Sequence, residues 1–116
     1  MSPFDDRRHL SKAAALTAVA GRDGQRFREL FRHGSLQVEI YHPVGTDPQS
    51  PHTRDEVYVV AEGTGTFAIE GKTVPLGPGD FLFAPAGVPH RFEAFSADFA
   101  VWVLFYGPEG GESSGG

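Results

Sequence analysis

The chain has no cysteine, one methionine and one tryptophan in 116 residues. Without cysteine it forms no disulfide and offers no thiolate metal site. Positive charge is also scarce, with 10 Lys and Arg against 15 Asp and Glu and a net charge of −5. A nucleic-acid binder shows a basic stripe, and nothing here supplies one. No apolar run approaches bilayer length, and no signal-peptide pattern is visible. The expectation is a soluble, cytoplasmic protein with no membrane partner. No nucleophile–histidine–acid signature is seen. Gly63-Thr64-Gly65 reads as a hairpin turn, too short to cradle a phosphate.

What is present is phenylalanine, ten of them, with 15 Gly and 9 Pro. The length suits one domain with one core, and 40% apolar residues is not a disordered composition. Residues 1–9 are polar and read as loose. Ser11 caps a helix over about 11–20, with Gly21 as its stop. Leu10, Leu16 and Val19 share an apolar face, which places the helix on the outside of the body. Asp23-Gly24 reads as a turn. A mixed strand over Gln25 to Arg32 and a turn at His33-Gly34 lead to Leu36–His42, where Leu36, Val38 and Ile40 alternate with Gln37, Glu39 and Tyr41. Further strands read from Ser50 to Ala61, where Val57 to Val60 prefer strand most strongly, and at Thr64–Glu70, Thr73–Leu76, Phe81–Ala84, His90–Phe95 and Phe99–Tyr106. The strand from Thr64 reads as the hairpin partner of the one before it. The last strand is apolar on both faces, so both are covered or one lies in an interface. The tail, 107–116, is Gly, Glu and Ser and reads as disordered. About eight strands with one helix make a jelly-roll barrel over about 25–106, and residues 1–106 one domain.

Two stretches carry the chemistry. From Ser50 the chain reads S-P-H-T-R-D-E-V-Y-V-V-A-E-G, and from Gly79 it reads G-D-F-L-F-A-P-A-G-V-P-H. As a strand, the first puts Ser50, His52, Glu56, Tyr58 and Val60 on one side. His90 opens the strand after the second. His52, Glu56 and His90 are the candidate metal ligands. An unpaired buried carboxylate at Glu56 is costly. A metal removes that cost, and a salt bridge to Arg54 or Arg91 is the alternative. Tyr58 and Phe92 are expected to line the pocket, with Tyr58 a candidate to stand behind the ligands. His42 is either a packed core histidine or an acid–base group at the pocket mouth. Gln49 and Arg54 can reach that mouth, and His9 and His33 read as surface residues.

The two stretches resemble the paired motifs of the cupin superfamily, G-x5-H-x-H-x3 or x4-E-x6-G and G-x5-P-x-G-x2-H-x3-N. His52, Glu56 and Gly63 fit the first; Gly79, Pro85, Gly87 and His90 fit the second. The family's first histidine falls on Ser50, its opening glycine is one residue off at Gly45, and its final asparagine falls on Ala94. The resemblance implies an all-β, cupin-type double-stranded β-helix with one short N-terminal helix. It implies a divalent transition metal (Fe, Mn, Ni or Zn) acting on or binding a small-molecule ligand, by dioxygenase-like or isomerase/lyase-like chemistry or without turnover. It also implies a homodimer. Ser50 in place of histidine leaves a coordination position to water, unless Gln49 or His42 fills it.

Overall fold

The computed structural model of the chain describes residues 9–20, 26–48 and 50–113. The expectations for Gln49, Gly21, Asp23-Gly24 and Gln25 fall outside the described residues. Helix α1 (Lys12–Val19) starts where the Ser11 side chain accepts the Ala14 N–H at 3.1 Å, the hydrogen bond that an N-cap serine makes. Eight strands follow: β1 (Phe27–His33), β2 (Leu36–Tyr41), β3 (Asp55–Glu62), β4 (Gly65–Ile69), β5 (Lys72–Leu76), β6 (Phe81–Ala84), β7 (His90–Glu93) and β8 (Ala100–Tyr106). They form a five-stranded sheet in the order β1-β2-β8-β3-β6 and a three-stranded sheet in the order β5-β4-β7. The all-β architecture with one short helix is the one expected.

The barrel core lies between the sheets. Tyr58, Val60, Val101 and Val103 face Phe67, Phe92 and Leu76 there. Each fully buried large side chain contributes about 1.5–3 kcal/mol of transfer free energy. A second, smaller core lies outside the larger sheet, where Ala15 and Val19 of α1 cover Ile40 and Ala100, with Trp102 and Leu30 beside them. This answers the question posed by β8. Its inward residues fill the barrel, and the start of its outer face lies under the helix. β8 is also central, between β2 and β3, so the sheet edges are β1 and β6.

Three expectations are corrected. Thr64–Glu70 is not the hairpin partner of β3: β4 crosses to the other sheet and pairs with β5 and β7. Gly63, at φ 80°, makes the crossing, and a Cβ there would lie 2.6 Å from Phe99 Cα. The residue is glycine because two chain segments touch at that point. The strand from Ser50 is shorter than expected, beginning only at Asp55. The segment after β8 is held to the body rather than disordered, as far as Ser113. Gly107 N–H donates to Ser35 Oγ at 3.1 Å, Gly110 N–H to Thr53 O at 2.6 Å and Glu112 N–H to Asp55 Oδ2 at 2.8 Å. Its composition suggested disorder because glycine is flexible. Here positive φ at Gly107, Gly110 and Gly111 lets the segment turn back along residues 53–55. Residues 114–116 lie outside the description.

Candidate metal centre

Glu56 is the second residue of β3 and points inward, 1% exposed. His52 lies in the loop before β3, and His90 opens β7 in the opposite sheet. The site therefore joins the two sheets. The loops that carry it are tied directly to one another. Gly87 N–H donates to His52 O at 2.7 Å, and Ala86 N–H to Asp55 Oδ1 at 2.9 Å. Asp47 accepts the Tyr41 hydroxyl at 2.5 Å on one oxygen and the Phe92 N–H at 2.8 Å on the other. One buried carboxylate thus bridges β2, β7 and the loop leading to His52.

Potential ligand atoms of His52, Glu56 and His90 all lie within 4.8 Å of one another. His90 Nε2 is 2.9 Å from Glu56 Oε1, and His52 Nε2 is 3.8 Å from it. His90 Nδ1 sits 2.9 Å from Val88 O. A carbonyl only accepts, so Nδ1 carries the proton and neutral His90 presents the Nε2 lone pair to the site. That lone pair faces a carboxylate, and neither Glu56 oxygen accepts a hydrogen bond of good geometry. Two electron-rich groups pressed together where both side chains are buried need a cation between them, either a proton or a metal ion. With no metal, burial lowers the His90 pKa, but Glu56 beside it and the Val88 carbonyl outweigh burial and raise it overall. The donor set of two imidazoles and one carboxylate suits a divalent transition metal. The Val88 contact is the kind that orients a metal-binding histidine.

The structure thus brings together the three residues selected from the sequence. Tyr58 joins them: its hydroxyl is 2.9 Å from His90 Nε2 and its ring is fully buried. Phe92 packs edge-on against Tyr58 at 4.9 Å, so both are core as expected. The salt-bridge alternative for Glu56 is not realised: Arg54 bonds the Ser35 carbonyl, and Arg91 lies 3.6 Å from Glu93. His42 is a packed histidine, with Nδ1 2.8 Å from Phe99 O. Its neighbour Tyr41 pairs with Val101, whereas Glu56 pairs with Phe105. His42 is thus about five residues, ~17 Å, along β8 from the site, and it does not fill a coordination position. Ser50 is exposed and off the strand, so the alternation that would align it with His52 does not apply. His9 and His33 are exposed.

The site opens into a cleft of about 880 Å³ along the inner face of the larger sheet. Its wall includes Gln37, Glu39 and Tyr41 of β2. Sequence reasoning did not select these residues. An apolar row in a strand suggests the core side, yet here Ile40 lies under α1 and the polar row faces the cleft. The signal was present in the helix, whose apolar face needs a covering surface.

The cupin domain model of protein families matches residues 37–106. The chain belongs to the cupin family. An uncharacterized protein of Streptomyces coelicolor is 35% identical over 92 residues, covering 78% of this cupin and 87% of that protein. Dimethylsulfoniopropionate lyase DddQ of Ruegeria pomeroyi is 36% identical over 70 residues, covering 59% of this chain but 35% of the lyase. The crystal structure of that lyase superimposes with a TM-score of 0.62 at 28% identity, over 85% of this chain and 55% of the other. A cupin-2 protein of Shewanella frigidimarina gives 0.69 at 19% identity, over 84% and 94%, a likeness of fold alone.

Proposed function

We propose that this cupin holds a divalent transition metal on His52, Glu56 and His90 and uses it to transform a small organic acid by proton transfer, in the manner of a lyase or isomerase. The observation that carries the metal is the buried Glu56 carboxylate, without a hydrogen-bond donor and facing the His90 Nε2 lone pair. Bound there, a metal would act as a Lewis acid toward a carboxylate or carbonyl group of the ligand. The chain's own residues do the rest. Val88 O fixes the His90 ring, and Gly87 N–H holds the backbone at His52. While His90 is neutral and free of metal, the Tyr58 hydroxyl donates a hydrogen bond to its Nε2. When that lone pair is committed elsewhere, the phenol proton needs another acceptor, and the Tyr58 oxygen can move a proton to or from a ligand beside it. The likeness to dimethylsulfoniopropionate lyase supports elimination over other chemistries.

A dioxygenase reading is favoured by the donor set itself, since two histidines and a carboxylate are the ligands of non-haem iron oxygenases. The two are separated by one experiment. Protein purified without a metal-affinity column is assayed for its metal, loaded with Fe(II), Mn(II) or Zn(II), and offered β-substituted carboxylates while alkene formation and oxygen uptake are followed. The proposal expects alkene without oxygen uptake. Tyr58→Phe should retain the metal and lose at least ~10²-fold in rate. Oxygen uptake supports the dioxygenase, and metal binding without turnover of either kind supports a non-catalytic binder.

A further inference from the structure

The cleft has a second acidic position that the metal reading does not use. Glu39 stands on β2, in the middle of the five-stranded sheet, and points to the inner face where the neighbouring positions are Val103 and Tyr58. Its register places it across β8 from Tyr58, with Glu56 two residues further along β3, so about 12 Å separates it from that ligand. An acid on the inward face of a barrel strand costs free energy unless something compensates it. Arg32 offsets this charge in part, and Arg26 also lines the cleft. Arg32, the cation nearest by register, is committed to Glu29 at 2.6 Å. The protein partner of Glu39 is Gln37, whose Nε2 donates to Oε2 at 2.8 Å. That bond orients the carboxylate and leaves Oε1 to the cleft. Burial, with Glu29 and Glu56 adding to it, holds the Glu39 carboxyl above its usual range, against the opposing hydrogen bond from Gln37 and the charge of Arg32. Beside it the wall is aromatic, with Tyr41 on the same strand, Phe27 opposite Tyr41 and Phe105 on β8. Phe27 is 54% exposed and presents its ring to the cleft.

We propose that Glu39, oriented by Gln37 and flanked by Phe27, Tyr41 and Phe105, is a subsite for a cationic group of the ligand. A carboxylate on an aromatic wall is the chemistry that recognises an organic cation such as a protonated amine. The inference rests on the proposed metal site for the other end of the ligand. Its substrate class is therefore a small acid that carries a positive charge roughly five or six bonds from its carboxylate, enough to bridge much of the ~12 Å between the two ends once the contacts at each end are added.

The test uses calorimetry on the metal-loaded protein with two probes, 5-aminopentanoate and pentanoate, and on the metal-free protein with pentylamine. The aminocarboxylate should bind at least tenfold more tightly than pentanoate. Glu39→Gln should abolish that preference while leaving the affinities for pentanoate and for the metal unchanged. Pentylamine should bind metal-free wild type and be lost in Glu39→Gln. Equal affinity of wild type for the two acids overturns the subsite, as does a preference that survives Glu39→Gln. If the protein takes no metal, the metal reading fails, and the pentylamine comparison alone then decides the subsite: binding that depends on Glu39 upholds it, and no binding overturns it.

Discussion

At the scale of single residues, His90 and Glu56 hold the same space for a proton or a metal, and pH decides between them. The His90 pKa in the folded metal-free protein lies above its ordinary value of 6.5. A raised pKa means that the folded state binds the proton more tightly, so this stabilisation is full below 6.5 and is lost as pH rises through the folded value. The raised Glu39 carboxyl acts with the same sign above its ordinary 4.5. Metal binding has the opposite sign, because it displaces the His90 proton. Urea unfolding in chelator should show these two contributions falling as pH rises, and the fall should be smaller in Glu39→Gln. Metal titrations should show affinity rising over the range where His90 deprotonates. Ala94 is a second residue with a specific cost. Its φ is 50°, in the left-handed region that penalises a Cβ. It occupies the position where the cupin motif carries asparagine, which tolerates that region. Ala94→Gly or Ala94→Asn should stabilise the protein by about 1 kcal/mol, roughly 4–8 °C by calorimetry for a domain near this size.

Among the elements, the loop from Pro43 to Arg54 is the most consequential, because it delivers His52 without being a strand. Asp47 fixes it by taking Tyr41 and Phe92 as partners. Asp47→Ala would leave a buried hydroxyl and a buried N–H without acceptors, at about 1–3 kcal/mol each. It should lower the urea midpoint and also weaken metal binding, whereas a loop that served only as a connection would change stability alone. The sequence made the strands visible through alternation and turn residues, and the ligands visible because His52, Glu56, Gly87 and His90 keep motif spacing. It did not show that β4 leaves its neighbour. A glycine at a hairpin and a glycine at a crossing look alike until Phe99 is seen against Gly63. It also did not show which side of β2 faces the cleft. Alternation fixes two faces but not which is inside, and α1 decides that by covering Ile40. The tail was misread because composition reports the flexibility of glycine and not the acceptors, Thr53 O and Asp55, that await it.

For the whole molecule, β6 is an open sheet edge with Phe81 64% and Phe83 42% exposed on the outer face. Val57 and Val59 of β3 continue that face beside them. We propose that this surface pairs two copies as a homodimer, since an apolar edge strand invites a second strand. Light scattering should give twice the 12.5 kDa chain mass, and Phe81→Lys should return it to one; a wild-type monomer at micromolar concentration would contradict the proposal. The central claim concerns the metal, and thermal unfolding of wild type and Glu56→Gln with and without Zn(II) or Mn(II) tests it most directly. At metal concentrations near 100 times the dissociation constant, wild type should gain about 2.7 kcal/mol, a shift on the order of 10 °C. Glu56→Gln should fold and show no comparable shift. A wild-type protein that does not respond to any divalent transition metal, or a Glu56→Gln protein that responds equally, would contradict the account.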